Sequence, residues 1–559
     1  MVRKILTFLG REISGLHEAA YLLAASAVLS MLFSLVRDRL LAHILGAGSD
    51  LDVYYAAFRV PDFIFVTVAS LVSTSILVPF LIESREKGQD ELKSSIQSIF
   101  SAFSLLIIVV CGLAFFLMPW IDRAIYPKLF DLGLGDTLVS TSRILLLSPL
   151  LLGLASFFTS ITQIQNRFLI YAVAAPLYNV GIIIGILFLL PTMGIQGIAT
   201  GVIIGALLLA LTQIPLVIRD GLFPRLTLRF DWSKVRRIAL LSIPRTLTLS
   251  SQQITTLGMV SLASFLGAGS ISIFTLALNL QSVPLGIIGA SYSSAAFPVL
   301  AKLFAQGDRQ AFLDRMIGAA QHIIFWSLPI TALFIVLRAQ VVRTVLGSGQ
   351  FSWSDTRLTA AALALFVVSS VAQCLMLLFV RSFYAEGKTA KPLLINIISM
   401  VVTVVLAFVL IKSFHAFPTF AFFIQALLKT TGASDSAVLM LPLAFTIGAL
   451  LNLYLHWRSF SRDFSAFNRP VLIGAFHSFG ASVIGGFVAY ESLRLFDNIF
   501  NLTTTLGVFM QGLCAGIVGI IVIVIVLYLL KSSELRDIAA TLREKIWKVD
   551  RESFDRLPS

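Results

Sequence analysis

The chain alternates between long apolar runs and short polar loops from one end to the other. Fourteen apolar runs can be counted, centred near residues 28, 68, 108, 152, 180, 206, 255, 287, 327, 370, 401, 447, 481 and 518. At roughly 20 residues, each run is long enough for an α-helix to cross about 30 Å of hydrocarbon. The pattern therefore predicts an all-α polytopic membrane protein with about 14 transmembrane helices.

A short sequence phrase occurs twice along this pattern. Leu-Gly-Ala-Gly-Ser stands at 45–49 and again at 266–270, and each copy is followed by a proline within an apolar run, Pro61 and Pro284. A proline kinks a membrane helix, which is tolerated where protein or cavity water satisfies the freed carbonyl. The repeat predicts two related six-helix lobes around a central cavity, an arrangement that places substrate between the halves.

The apolar runs, the repeated phrase and the basic stretch between the two copies define the predicted domain limits. We predict an interfacial N-terminal segment at 1–18, a first lobe at 19–218, a basic cytoplasmic linker at 219–245, a second lobe at 246–457, two additional C-terminal helices at 470–530 and a cytoplasmic tail at 531–559. The segment 417–435 is too short and interrupted to count as a span, and we expect it at the outer surface.

The composition supports the prediction of a membrane protein, and the distribution of charge indicates its orientation. The chain has 559 residues, of which 57% are hydrophobic and 13% charged, which leaves too little polar surface for a soluble domain. Its net charge is +13, and with both termini in the cytoplasm about 30 of the 42 Lys and Arg fall on the inner side. This distribution indicates membrane orientation, so we expect no nucleic-acid partner. Cys111, Cys374 and Cys514 lie in apolar runs and predict no disulfide framework.

The informative residues are ionisable groups within or beside the first two apolar runs: Arg37, Asp38, Arg39, Asp52, Arg59 and Asp62. A charge inside a bilayer is costly unless it meets a partner or water, so each of these needs a reason. On a helix, Asp52, Arg59 and Asp62 fall on one face together with Tyr55. We expect this polar stripe to look into the interior.

Two interpretations of these charges stay open at this point. In the first, arginines pair with aspartates and lock two helices together. In the second, the arginines bind an anionic group, since guanidinium is planar, always charged and suited to bidentate contact with phosphate. The second copy of the repeat carries a neutral Asn279 in the comparable helix, which predicts an anion-binding half facing a neutral polar wall.

The chain carries no recognisable catalytic chemistry. Its six histidines are scattered, no Cys-x-x-Cys or His-x-x-x-His pair is present, and no Gly-x-x-x-x-Gly-Lys-Ser/Thr phosphate loop occurs. We therefore predict a protein that is not an enzyme and that needs no metal or cofactor.

The stretch SMLFSLVRDRLLAHILGAGSDLDVYYAAFRVPDF, beginning at Ser30, resembles the first two spans of the MurJ (MviN) family. These are the bacterial lipid II flippases of the multidrug/oligosaccharidyl-lipid/polysaccharide exporter superfamily. Further similar stretches are QNRFLIYAVAAPLYN at 165–179, SQQITTLGMVSLASFLGAGSIS at 251–272, AAFPVLAKLFAQGD at 295–308 and FYAEGKTAKP at 383–392. The resemblance covers roughly residues 30–452.

The resemblance implies two six-helix lobes in a V, with helices 13 and 14 forming a groove, and movement of a polyprenyl-diphosphate-linked peptidoglycan precursor by alternating access. It places Arg37, Asp38, Asp52 and Arg59 at cavity positions. The chain departs from the family pattern at Met31 and Asn279, where arginine is usual. Alternatives are an exporter of another lipid-linked polysaccharide, a cation-coupled antiporter and a membrane scaffold without transport.

The expected location is the bacterial cytoplasmic (inner) membrane, with both termini cytoplasmic. The expected ligands are a lipid-linked diphosphate glycan and membrane lipids. Cell-wall synthesis proteins are expected partners, and the expected state is a monomer.

Overall fold

The computed structural model describes residues 16–72, 74–165, 167–227, 231–433 and 435–547, and within these ranges it contains helices and no strand. In chain order the helices are α1 (Leu16–Leu45), α2 (Ser49–Ile64), α3 (Thr74–Glu86), α4 (Gln89–Ile125), α5 (Pro127–Asp131), α6 (Gly135–Leu145), α7 (Leu147–Ile164), α8 (Phe168–Ile184), α9 (Leu190–Met193), α10 (Ile195–Arg219), α11 (Trp232–Ser264), α12 (Ser270–Pro284), α13 (Ser291–Ala305), α14 (Arg309–Val336), α15 (Arg338–Val345), α16 (Trp353–Ala385), α17 (Ala390–Ala416), α18 (Pro418–Leu428), α19 (Met440–Asp463), α20 (Asn468–Phe496), α21 (Thr505–Leu529) and α22 (Ser533–Trp547).

The predicted all-α membrane fold is confirmed. Among the described residues, eleven helical segments are long and apolar enough to cross a membrane, beginning with α4 and ending with α21. The other predicted spans correspond to α1, to α2 with α3, and to α11, which are also the helices that carry most of the predicted site. The predicted insertion at 417–435 contains one short helix, α18, with its Phe422 and Phe423 side chains exposed.

The helices pack as two groups with two additional helices. In the first half α1 packs on α8, α8 on α10, and α10 on α7; in the second half α16 packs on α14 and α19, and α17 packs on α19. The halves meet where α11 contacts α2 and α4, and where α12 contacts α2. Helices α20 and α21 pack on each other and on α14. This packing places the charged helix α2 at the junction of the two halves.

Two predicted boundaries need comment. The basic segment 219–245 was expected to be a linker, but α10 ends at Arg219 and α11 already begins at Trp232. The helix begins this early because Lys and Arg favour helices, and because the Asp231 side chain accepts a 2.9 Å hydrogen bond from the Ser233 amide as an N-cap. Most of the predicted interfacial segment 1–18 lies outside the described residues.

Both repeats contain the same local irregularity. After α2, which includes Pro61, a π-helical turn occupies Phe65–Ala69, and after α12, which ends at Pro284, another occupies Leu285–Ala290. A π-turn widens the helix locally and leaves backbone groups that need other partners, and such turns are frequent at functional sites. A π-helical turn therefore follows each of the two prolines at corresponding points of the two halves.

Helices α8 and α10 approach closely through glycines. A Cβ at Gly201 would lie 2.6 Å from the Gly185 Cα, which is closer than real Cβ atoms come. We expect Gly201→Ala to force the helices apart and to lower the free energy of unfolding by about 1–3 kcal/mol. Thermal unfolding in detergent measures this, with Gly112→Ala on α4, where a Cβ meets nothing within 4 Å, as the matched control. Equal melting temperatures for the two variants would contradict the close contact.

Candidate functional site

A hydrogen-bonded network crosses the junction between the halves at Arg37. The Arg37 Nε and Nη2 atoms donate to Asp38 Oδ1 at 2.9 and 2.7 Å, while Nη1 donates to Asn179 Oδ1 at 3.0 Å and Nη2 donates to Ser34 Oγ at 3.1 Å. On the opposite side, Asn279 Nδ2 of the second half donates to Asp38 Oδ2 at 3.0 Å. Asp38 is 1% exposed, so its charge depends on these partners.

Arg59 is less completely bonded. Its Nη2 donates to Thr275 Oγ1 in α12 at 3.0 Å, and its buried Nε has no hydrogen-bond partner. The hydroxyl of Tyr55, one turn earlier on the predicted stripe, is also buried without a partner. Asp62 lies within electrostatic reach of both Arg59 and Arg37. This part of the site retains hydrogen-bonding capacity for a ligand or water.

Asp52 serves a different purpose from the arginines. Its Oδ2 accepts from the Gly269 amide at 2.7 Å, and its Oδ1 accepts from the Ser272 amide and hydroxyl at 2.7 and 2.6 Å. The carboxylate is 4% exposed and caps the N-terminus of α12 from the other half of the chain. Asp52 thus ties the two halves together at the end of the bundle that carries both Gly-Ala-Gly-Ser loops, which we call the GAGS end.

The GAGS end explains two glycines of the repeated phrase. Gly269 has a φ of +90°, and a Cβ there would collide with the Ala47 carbonyl of the first copy. Gly46 has a φ of +63°, and a Cβ there would lie 2.7 Å from the Gln350 carbonyl oxygen. Only glycine fits positions that combine this backbone conformation with so close an approach. The first loop therefore packs directly against the second half.

Arg39 also belongs to the GAGS end. Its Nη1 donates to the carbonyl of Thr344 and, at 3.4 Å, to that of Val345, at the C-terminus of α15. Beside it, the Gln350 amide donates to the His43 carbonyl at 2.9 Å. A guanidinium at a helix C-terminus is favourable because it satisfies the last carbonyls and the helix dipole. The structure thus separates Arg39 from the Arg37 network.

The halves are also joined at the opposite end of the bundle. Arg237 of α11 donates to both carboxylate oxygens of Glu83 in α3, at 3.1 and 3.0 Å, and Lys234 pairs with Glu91 at 2.8 Å. These side chains are largely solvent-exposed, except that of Lys234, so each pair contributes little to stability. Contacts at both ends close the junction around the Arg37 network in this conformation.

The geometry bears on both interpretations of the charges. Among the six predicted ionisable residues, Arg37 and Asp38 form the one ion pair that the described coordinates contain, and both belong to α1, so this pair does not itself join two helices. The side chains that join α1 to other helices here are the neutral amides of Asn179 and Asn279. Arg59 keeps an unpartnered nitrogen, as an anion-binding role requires. Sequence reasoning missed Asn179 and Thr275, the partners of the two arginines. Asn179 was detectable as an amide inside an apolar run, whereas a threonine in such a run carries no comparable signal.

Comparisons with known proteins were made for the whole chain. The family model described as Lipid II flippase MurJ matches residues 41–418. A relative from Thermotoga maritima, named "Probable lipid II flippase MurJ", is 25% identical over 426 residues, which cover 75% of this chain and 86% of that protein.

Two solved structures have similar folds. "Lipid II flippase MurJ, inward closed conformation" aligns with a TM-score of 0.71 at 22% identity and covers 93% of this chain and 100% of its own. An inward-facing multidrug resistance MATE family transporter of the MOP superfamily aligns with a TM-score of 0.61 at 17% identity, covering 78% and 95%. At these identities the likeness shows a common fold.

Proposed function

This chain belongs to the MurJ lipid II flippase family, and from that membership we propose that it moves lipid II from the inner to the outer leaflet of the bacterial cytoplasmic membrane by alternating access. Family membership makes it a membrane transporter that acts on a lipid-linked substrate. The cross-half network at Arg37 is the structural observation that carries the mechanism below.

In this mechanism Arg37 and Arg59 bind the diphosphate. Both guanidinium groups lie at the junction of the halves, and Arg59 Nε has no partner in the closed conformation. Asp38 and Asn179, which belong to the first half like Arg37 itself, accept hydrogen bonds from Arg37. Separation of the halves removes only Asn279 from Asp38. The incoming diphosphate then takes the place of the neutral Asn179 and Ser34 oxygens as acceptor for Arg37, because guanidinium binds phosphate oxygens in a bidentate manner.

Asn279 adapts this network to the absence of the arginine that is usual at its position. Its amide donates one neutral hydrogen bond to Asp38, so the carboxylate stays satisfied without a second cation. Two arginines in the first half then supply the positive charge for the diphosphate. The neutral amide of the second half can part from Asp38 at lower electrostatic cost than a second guanidinium.

In this mechanism the contacts at the two ends of the junction, the GAGS end and the Glu83–Arg237 end, act as the two gates. We assign the GAGS end to the outer face and the Glu83–Arg237 end to the cytoplasmic face, because the positive-inside pattern places both termini in the cytoplasm. Alternating access then requires the Asp52 cap and the Arg237 pair to break in turn. The exposed Arg237 pair is the weaker of the two, which favours opening toward the cytoplasm first.

The inferred partners follow from this function. Lipid II and the surrounding membrane lipids are the ligands, no chemical step is catalysed, and no cofactor takes part. Contact with cell-wall synthesis proteins and a monomeric state remain part of the proposal.

Movement of lipid II between the two leaflets of proteoliposomes that contain the purified chain tests the proposal. We expect the reconstituted chain to move fluorescent lipid II between leaflets, and expression of the chain to rescue bacteria depleted of their own flippase. A folded, correctly inserted protein that moves a different polyprenyl-diphosphate glycan but not lipid II would favour the polysaccharide exporter. Absence of transport for both substrates would favour the scaffold, and coupled cation exchange would favour the antiporter.

A further inference from the structure

The carboxyl group of Asp122, near the end of α4, is completely withdrawn from solvent. The residue is 0% exposed, and both of its carboxyl oxygens are buried without a hydrogen-bond partner. The Ser142 hydroxyl of α6 faces this carboxyl group, but the two do not form a hydrogen bond of normal geometry. The proposed function gives Asp122 no role, so the burial of this ionisable group needs another explanation.

An ionised carboxylate would be strongly destabilised in these surroundings. An isolated charge that leaves water loses its hydration, so buried charges are either paired or neutralised. Within the described residues, no cation donates to either carboxyl oxygen of Asp122. The neutral, protonated carboxylic acid is therefore the form that fits this conformation.

The charged groups around this end of α4 do not compensate Asp122. Arg59 of α2 lies within electrostatic reach of Tyr126, as Asp122 does, and the Tyr126 hydroxyl is also buried without a partner. Arg143 of α6 donates to a backbone carbonyl of α4 instead, at 3.1 Å. Helix α7 carries no charged residue, and those of α3 and α11 lie toward the opposite end of the bundle. The other titratable side chains here are exposed: Arg123, Lys128, Asp131 and Asp136.

Asp122 lies one helical turn from a contact between the two halves. The Ile125 carbonyl, at the end of α4, accepts a 2.7 Å hydrogen bond from the Ser261 hydroxyl of α11. Helix α11 ends three residues later at Ser264, shortly before the second Gly-Ala-Gly-Ser loop. Asp122 therefore lies beside the GAGS end of the junction.

We propose that Asp122 is a proton-binding site whose protonation is coupled to closure of the GAGS end. When the halves separate at this end, water reaches the carboxyl group, which releases its proton to that water as hydronium and becomes a carboxylate. When the halves close, a proton from the surrounding water returns to the carboxylate as it is buried. The closed conformation thus binds one more proton than the open one, so it is favoured at low pH and loses stability as the pH rises.

Distances between spin labels on the two halves measure this closure in the full-length protein in lipid nanodiscs. Leu132→Cys, just after α5, and Phe265→Cys, just after α11, carry the labels, because both positions are exposed and lie at the GAGS end. Cys514, the one native cysteine that is not buried, is replaced by serine. Because one proton is linked to closure, we expect the ratio of closed to open molecules to fall at least about tenfold between about pH 5 and about pH 9.

Asp122→Asn keeps the shape of the protonated carboxyl group but cannot ionise. We expect the closed conformation to predominate in this variant at both pH values. Asp131→Asn, which removes an exposed carboxyl group from the same end of the first half, is the matched control and keeps the wild-type response to pH. Infrared difference spectra give a second readout: the C=O stretch of a protonated carboxylic acid is present in the wild type at low pH and missing in Asp122→Asn.

The proposal is overturned if the label distances of the wild type do not change with pH, or if Asp122→Asn shows the same change as the wild type. A response that disappears when sodium is replaced by choline would also overturn it, because the ligand of Asp122 would then be a metal cation. None of these measurements involves lipid II, so their outcome is independent of the proposed function.

Discussion

Replacing Arg37 with glutamine is expected to abolish lipid II transport and also to destabilise the protein. The substitution removes a cation that contacts both Asp38 and Asn179, and it leaves the Asp38 carboxylate buried with Asn279 as its remaining side-chain partner. Removing one member of a buried ion pair costs about 3–5 kcal/mol because the other charge loses its compensation. Transport alone therefore cannot tell a diphosphate ligand from a structural residue.

The double variant Arg37→Gln/Asp38→Asn separates these roles. It removes both charges together, so the network stays neutral and the melting temperature is expected to recover most of its loss. Transport is expected to stay at least about 100-fold below the wild type, since the diphosphate has lost a charged donor. Recovery of transport along with stability would show that Arg37 and Asp38 serve the structure of the network and do not bind the diphosphate.

Hydropathy and helical spacing predicted the fold and the position of the charged helices, because a bilayer constrains both strongly. They placed Asp52, Arg59 and Asp62 on one face of α2, and in the structure Asp52 and Arg59 contact the second half. Spacing could not tell which residue opposes each of them. Asp52 meets backbone amides of α12, whereas Arg59 meets a threonine, and only the packing of the halves decides that.

Arg39 shows the same limit more clearly. It stands next to the Arg37-Asp38 pair in sequence, but neighbouring residues on a helix point about 100° apart. Its guanidinium therefore reaches the end of α15 rather than the central network. The basic segment 219–245 shows a related limit. Its charge predicts where the chain meets water, but it does not predict where a helix begins, and α11 begins within this segment at Trp232.

The second large effect is expected at Asp52. Asp52→Ala removes three hydrogen bonds that a carboxylate accepts from Gly269 and Ser272, and with them the cap that holds α12 to the first half. If these hydrogen bonds stabilise the contact by about 2 kcal/mol, their loss raises the exchange rate of the amides that they protect about 30-fold. Hydrogen–deuterium exchange of 269–275 measures this directly, without a label or a substrate.

Asp50→Ala is the matched control, because Asp50 stands in the same first turn of α2 and is exposed. Its exchange pattern is expected to equal that of the wild type, and α14 is expected to be unaffected in both variants. Asp52→Asn, which keeps one acceptor oxygen, is expected to fall between the two. Because a gate must close as well as open, the Asp52 variants are also expected to transport lipid II more slowly. Unchanged exchange at 269–275 in Asp52→Ala would mean that other GAGS-end contacts, Arg39 with α15 first among them, hold the halves together without the cap.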